Sequence, residues 1–339
     1  MKKSSNLKAF ILAAGYGSRL LPLTKQKPKP LLPFINKPIL YHLFDQLIRE
    51  NINPIMVNGH YLWQDIKTAI TSHPQNKLIY FSLEKEQLFG TAGAYAIVND
   101  WRNKSDLLTI NSDLIQNFNL KEFIKSHYQS DAFATMLLTK NPHPKETPVW
   151  CLGDKIVAIG KKKPPIITVT PHGFSGIQIL SNNFITEIPT AKTSDIIPFY
   201  QRFIKERKKI KGHITEGLWF DIGSPFKYWY AHMFFLKNKL LHLFPDLPKT
   251  TYFLKTHCTN ASYNKEPSLL VANSKVLFKN SSSIGPYSFL VGNTQIGRKS
   301  SLERCILLNN AVVNDYEYIK DTIIDGTNRI PIEHQDLLL

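Results

Sequence analysis

A chain of 339 residues that is 43% apolar and 12% aromatic can bury one large core and a smaller second unit, and is expected to fold as a soluble globular protein. Its three cysteines, Cys151, Cys258 and Cys305, are far apart and outside any CxxC pattern, which argues against a disulfide framework or a zinc site and fits a reducing, cytoplasmic compartment. The net charge of +16 does not by itself point to nucleic acid, because the clusters Lys161-Lys162-Lys163 and Arg207-Lys208-Lys209 lack the interleaved aromatics that single-strand binding uses.

The first apolar run, Ala9 to Ala14, follows Met1-Lys2-Lys3 but leads into Gly15-Tyr16-Gly17-Ser18-Arg19, so it is predicted as a buried strand over Phe10–Ala13 rather than a leader peptide. No other stretch is long and apolar enough to span a bilayer. Ile39, Leu40, Leu43, Phe44, Leu47 and Ile48 mark one helix face, and a strand at Ile55–Asn58 completes a βαβ unit. The alternation continues with a helix near Leu62–Ile70, a strand at Leu78–Phe81, a helix from Thr91, a strand at Leu107–Ile110, a helix at Leu120–His127 and a strand at Ala134–Leu138. This order predicts an α/β fold with a Rossmann-like, mostly parallel sheet, whose ligands bind beyond the carboxyl ends of the strands.

From Val149 the pattern becomes hairpin-like, with Leu152-Gly153-Asp154-Lys155 as a tight turn between Val149–Cys151 and Ile156–Ile159. A helix near Ile196–Arg207, a strand at Leu218–Ile222 and an aromatic-rich helix, Tyr228–Leu241, follow. The predicted division is a catalytic unit over 1–244, a linker over 245–268 and a repeat unit over 269–330. In that last part Ile284, Leu290, Ile296, Leu302 and Leu308 recur every six residues, and Val313 and Ile319 resume the interval after a slip of one. A period of six marks a short parallel β-helix, which is weak alone and must lean on the catalytic unit or on another subunit.

The densest motif is Leu12-Ala13-Ala14-Gly15-Tyr16-Gly17-Ser18-Arg19-Leu20, then Pro22-Leu23-Thr24, Pro28-Lys29-Pro30-Leu31-Leu32-Pro33 and Lys37-Pro38. A strand that ends in a loop with two glycines lets backbone N–H groups approach phosphate oxygens, and Arg19 and Lys29 add cationic contacts. The loop lacks the Gly-Lys-Ser/Thr of a P-loop and the third glycine of a dinucleotide fingerprint.

The whole string resembles the signature of the sugar-1-phosphate nucleotidylyltransferases, which include mannose-1-phosphate guanylyltransferases and N-acetylmuramate-1-phosphate uridylyltransferases. Gly90-Thr91-Ala92-Gly93 is similar to the family's nucleoside-binding turn, Asn111-Ser112-Asp113 to its first metal aspartate and Trp219-Phe220-Asp221-Ile222-Gly223 to its second. The hexad tail resembles the left-handed β-helix of many guanylyltransferase members. What the resemblance implies is transfer of a nucleoside monophosphate from an NTP to a sugar 1-phosphate, with Mg²⁺ organising the triphosphate and no specific nucleic-acid or membrane partner. Arg19, Lys29, Asp113 and Asp221 are the implied catalytic residues, with the two aspartates as metal ligands. Leu12, Ala13, Ala14, Gly15, Gly17, Gln87, Gly90 and Thr91 would bind the nucleotide, and Lys163 and Gly176 the sugar phosphate. Association of copies through the β-helix is a further expectation.

The basic charge fits such substrates: from residue 245 onward ten Lys+Arg face nine Asp+Glu, so almost all of the +16 lies in residues 1–244. Departures from the family pattern bear on substrate identity. Lys162 stands where the Glu-Lys-Pro motif has its glutamate, Pro148 where many members have glycine, and Gln87-Leu88-Phe89-Gly90 where Glu-Pro-Leu-Gly is common. A carboxamide at Gln87 offers one donor and one acceptor, which suits uracil or thymine at least as well as guanine. GDP-mannose synthesis is the leading reading. A UTP-dependent N-acetylmuramate-1-phosphate enzyme, with which Val57-Asn58-Gly59-His60 and Phe174-Ser175-Gly176 are compatible, and a catalytically silent binding homologue are the alternatives.

Overall fold

The computed structural model describes residues 7–140, 146–189, 195–245, 282–285 and 287–333, and the backbone of four short strands at 251–253, 261–263, 269–271 and 276–278. Cys258 lies outside these residues; Cys151 and Cys305 are buried free thiols.

Four parallel strands, β1 (Leu7–Leu12), β2 (Ile55–Gly59), β3 (Ile79–Leu83) and β4 (Asp106–Asn111), lie in the spatial order β3-β2-β1-β4. Helices α1 (Ile39–Arg49), α2 (Trp63–Ser72) and α3 (Gly90–Ile97) occur in the crossovers. Ile39, Leu40, Leu43, Phe44 and Leu47 are all buried along one face of α1, as their spacing requires, and each such side chain contributes about 1.5–3 kcal/mol. After β4 the chain passes through Ser112 and Asp113 into β5 (Leu114–Gln116), which leaves the sheet, then through α4 (Leu120–Ser130) into β6 (Ala134–Thr139).

The predicted hairpin forms as β7 (Val149–Leu152) and β8 (Lys155–Ile159), turning at Gly153 with φ +62°. The element that periodicity does not resolve is β9 (Thr170–Leu180), eleven residues long, which runs antiparallel between β4 and β6. With β10 (Ile210–Ile214), the full order is β3-β2-β1-β4-β9-β6-β10-β8-β7. A bulge explains why β9 is hard to see in the sequence. From Phe174 to Gln178 it takes four steps while β6 takes two, from Leu138 to Met136, so the alternation of faces breaks at Ser175-Gly176. The segment predicted as a strand over Leu218–Ile222 shortens to β11 (Trp219–Asp221), which joins β5 in a two-stranded ladder separate from the main sheet.

Helices α5 (Ile197–Lys205) and α6 (Pro225–Lys237) complete this part. The start of α6 is set by Ser224, whose Oγ accepts from the Lys227 N–H at 3.2 Å, and by Pro225 at the first helical position.

The tail stacks as three parallel ladders whose partners lie one coil apart: Ile284 with Leu302 and Leu302 with Ile319, Leu290 with Leu307 and Leu307 with Ile324, Ile296 with Val313. This is the arrangement expected of a hexad-repeat β-helix. Counting by six puts Leu308 inside the coils and the slip after it. The slip instead precedes it, because Leu290 pairs with Leu307, whose side chain joins the inner core, while Leu308 packs outward in another core. That other core unites Trp229, Phe235 and Leu236 of α6 with Phe289, Val291, Ile306, Leu308 and Ile323 of the coils. Trp229 Nε1 also donates to the Arg304 carbonyl at 2.7 Å, so the short stack is docked on α6. No helix among the described residues is long and apolar enough to cross a membrane.

Candidate active site

Leu12 pairs with Asn111 at the ends of β1 and β4, and the Ser112 N–H donates to the Leu12 carbonyl at 3.2 Å. The glycine loop and the Asn111-Ser112-Asp113 turn therefore emerge side by side from the carboxyl end of the sheet. Together Leu12, Ala13, Gly15, Gly17, Arg19, Lys29 and Asp113 line a cavity of about 260 Å³, with Gly223 on its rim. A second cavity of about 520 Å³ shares Arg19, Asn111 and Asp113 with the first and adds Gly176, Trp219 and Asp221. Such a volume suits a small-molecule ligand. A third, of about 370 Å³, is lined by α1 and residues 114–118 and contains none of the residues predicted for the site.

The two glycines of the loop differ. Gly17 has φ +66°, and a Cβ there would stand 3.1 Å from Thr24 Cγ2 and 3.2 Å from Lys29 Cβ, so its backbone demands glycine. Nothing lies within 4 Å of the equivalent point on Gly15, where the loop faces open space. The Ala13 N–H already donates to Asn58 Oδ1 at 2.6 Å and is committed inside the protein. Its contribution to a ligand would have to come through its shape rather than this donor.

Asp113 and Asp221 meet across the β5–β11 ladder. Asp221 pairs with Leu114, and the Ile222 N–H donates to the Asp113 carbonyl at 2.8 Å. Each carboxylate holds a lysine: Lys29 Nζ donates to Asp113 Oδ2, and Lys227 Nζ to Asp221 Oδ2 at 2.6 Å. The other oxygen of Asp221, Oδ1, is buried without a hydrogen-bond partner, and a Cβ on Gly223 would come within 2.7 Å of it. A buried, unpaired carboxylate oxygen is costly unless something binds there, and glycine at 223 leaves room for the carboxylate in this position. Among the described residues no group of three or more acidic, histidine or cysteine side chains is placed to hold a metal ion; Asp113 and Asp221 could offer a cation two carboxylates, with ligand and water completing its oxygen shell. That is the donor set magnesium favours.

Gly176 sits in the β9 bulge at φ +83°, where a Cβ would lie 2.9 Å from Asn111 Nδ2. Ser175 Oγ donates to the Leu137 carbonyl at 2.7 Å, and Trp219 Nε1 to the Ser175 carbonyl at 2.8 Å, tying the bulge to both the sheet and the β5–β11 ladder. Thr91, at the start of α3, donates to Asp195 Oδ1 at 3.3 Å, and Asp195 lines the larger cavity. Gln87 and Lys163 are exposed and line none of the three cavities, although Ile159, just before the lysine cluster, borders the larger one. Trp219, Asn111 and Asp195 line the larger cavity, although the sequence assigns them no role. Asn111 and Trp219 each stand two residues before an aspartate in the motifs, and that spacing is the available signal.

Comparison with known proteins shows the family and the fold. Residues 8–238 match the family model described as nucleotidyl transferase. The chain is 28% identical over 341 residues to a mannose-1-phosphate guanyltransferase of Aspergillus oryzae, covering 96% of this chain and 87% of that protein. It is 31% identical over 227 residues to the mannose-1-phosphate guanylyltransferase catalytic subunit beta of Danio rerio, covering 65% of this chain and 62% of that relative's length. Among solved structures, HddC from Yersinia pseudotuberculosis complexed with GMP-PN aligns with a TM-score of 0.55 at 25% identity, over 66% of this chain and 97% of that one. A Bacillus anthracis structure in complex with sucrose, at 23% identity and a TM-score of 0.57, covers 66% of this chain and 93% of its own and shares the fold.

Proposed function

The chain belongs to the nucleotidyl transferase family, and from that premise we propose that it joins GTP to mannose 1-phosphate, releasing pyrophosphate and GDP-mannose. The observation that carries the reading is the meeting of Asp113 and Asp221 on one ladder, in a cavity that adjoins the glycine loop with Arg19 and Lys29. Mannose and guanine are favoured by relatives that align along nearly the whole chain, coils included.

The sugar phosphate oxygen attacks the α-phosphorus in line, forming one P–O bond as the bond to pyrophosphate breaks, so no protein nucleophile is needed. Arg19 and Lys29 offset charge on the triphosphate, the first as a planar fork and the second as a compact ammonium. Asp113 and Asp221 are the residues that would hold a magnesium ion. When bound, the ion supplies charge compensation and orientation to the triphosphate. Gly15 leaves the loop open to phosphate, Gly90 and Thr91 set the nucleoside turn, and Gly176 with Lys163 faces the sugar phosphate in this reading. The catalytic unit is taken as 1–244, the linker as 245–268 and the coils as 269–330. Association of copies through the coils draws support from Tyr316 and Tyr318, which are exposed there.

The test is pyrophosphate release from purified protein with Mg²⁺, each of the four NTPs and a panel of sugar 1-phosphates. Turnover confined to GTP and mannose 1-phosphate supports the proposal. Turnover with UTP and N-acetylmuramate 1-phosphate transfers it to the uridylyl reading, and failure of every pair to release pyrophosphate points to a silent binding homologue.

A further inference from the structure

Three polar contacts behind the glycine loop have a direction. The Ala13 N–H donates to Asn58 Oδ1 at 2.6 Å, Asn58 Nδ2 donates to Glu84 Oε1 at 2.6 Å, and the Phe89 N–H donates to Glu84 Oε2 at 2.9 Å. Asn58 is 4% exposed and Glu84 1%, so water cannot substitute for a lost partner. The same glutamate is held by its backbone: its N–H donates to the Gly59 carbonyl at 2.9 Å, and its carbonyl lies 2.6 Å from His60 Nδ1. The other ring nitrogen of His60 is 3.1 Å from the Tyr16 hydroxyl, back on the glycine loop. Ala13 of the loop, the ends of β2 and β3, and the residue before Gly90 thus share a hub centred on buried Asn58 and Glu84, which an exposed contact through His60 links to Tyr16.

We propose that Asn58 and Glu84 are a positioning pair for the nucleotide, a brace whose hydrogen-bond polarity fixes the nucleoside turn against the phosphate loop. This rests on the reading that loop and turn together hold the triphosphate. Neither side chain lines the cavities, so the pair acts through Ala13 and Phe89 rather than by touching substrate.

The chemistry of the hub is restrictive. Two backbone donors converge on two side chains from opposite ends, and a third hydrogen bond must join those side chains. An amide at 58 uses its oxygen for Ala13 and its nitrogen for the partner, so the partner must accept twice, which an ionised carboxylate does. An amide at position 84 would have a single acceptor oxygen; whichever way the two amides are flipped, one pair of N–H groups faces another. Exchanging the types restores every bond. A carboxylate at position 58 would accept from Ala13 and from the amide nitrogen at position 84, whose oxygen would accept from Phe89. The formal charge of the pair is unchanged.

The experiment compares wild type, Glu84→Gln, Asn58→Asp and the double variant for equilibrium binding of Mg²⁺–GTP, with the KM of mannose 1-phosphate and the melting temperature as controls. Each single change is expected to weaken nucleotide binding by about ten-fold or more, as one mis-paired buried group does. The sugar phosphate KM should stay within about two-fold, and the double variant should return to within about three-fold of wild-type affinity. A merely structural role would lower the melting temperature and leave nucleotide affinity alone in whatever remains folded, which overturns the proposal. So does a folded double variant no better than Glu84→Gln, or one that does not fold. If a single variant fails to fold, a double variant of near-wild-type affinity still supports the pair. Wild-type protein that binds none of the four NTPs defeats the functional reading first, and the brace with it.

Discussion

The Ile222 N–H donates to the Asp113 carbonyl at 2.8 Å, and this bond holds the second acidic motif of the chain against the first. It is the reason that Asp221, opposite Leu114, shares a cavity with Asp113. The same geometry brings Lys227 of α6 to 2.6 Å from Asp221, where its ammonium would compete with a metal for that carboxylate. Lys227 is about one-third exposed, so solvent screens the pair and its worth is modest. Lys227→Met should therefore tighten Mn²⁺ binding by about two- to five-fold, measured by electron paramagnetic resonance titration. Unchanged or weaker binding would mean that the lysine does not compete.

The two glycines of the loop should separate stability from binding. Gly17→Ala forces a left-handed backbone on alanine and crowds Thr24 and Lys29, and should cost about 1–3 kcal/mol in urea unfolding. Gly15→Ala meets open space, so its stability should stay within about 0.5 kcal/mol of wild type while triphosphate affinity falls. Equal effects of both changes on both measurements would count against a ligand in front of Gly15.

Leu308 tests how the coils lean on α6. It is 3% exposed and packs with Trp229 and Phe235 rather than inside the coils, so Leu308→Ala should cost about 2–5 kcal/mol of unfolding free energy. A loss below about 1 kcal/mol would show that the docking core does not carry the stack.

Two buried histidines give the fold an acid limit. Burial pushes His232 down to about 3 and His127 down to about 4, so both are neutral in the folded chain. An unfolded histidine takes up its proton near pH 6.5. Between that pH and the folded values the unfolded state binds more protons, so stability is flat above about 6.5 and falls as the pH drops toward 4 and then 3. Each histidine can contribute a slope of up to about 1.4 kcal/mol per pH unit. His232 packs against Phe34, Tyr228 and Phe289, and His232→Phe should make the acid slope shallower by about one proton's worth in urea unfolding between about pH 4 and 5.5. An unaltered slope would show that this ring is not the group being titrated.

Much of this arrangement is legible in the sequence because its signals are local. Ile39 to Leu47 at helical spacing, the strand before Gly15, and the six-residue interval from Ile284 each announce their element with side chains that all face one way. What escapes depends on partners remote in sequence. Bulged at Ser175-Gly176, β9 loses its alternation, and only Leu137, Asn111 and Trp219 around it explain the break. The slip in the coils precedes Leu308 because the register is set by pairing with Leu290, one coil back, which a count along the chain does not see. Asn58 and Glu84 are visible as polar residues at strand ends, but the direction of their hydrogen bonds exists only once Ala13 and Phe89 are beside them.

Metal binding in the presence of a slowly hydrolysed GTP analogue probes the convergence of loop and carboxylates most directly. Mn²⁺ should bind at one ion per chain with the analogue, and Asp113→Asn and Asp221→Asn should each weaken it by about ten-fold or more and cut pyrophosphate release by at least about 10²-fold. Wild-type Mn²⁺ affinity and turnover in both variants would contradict the account.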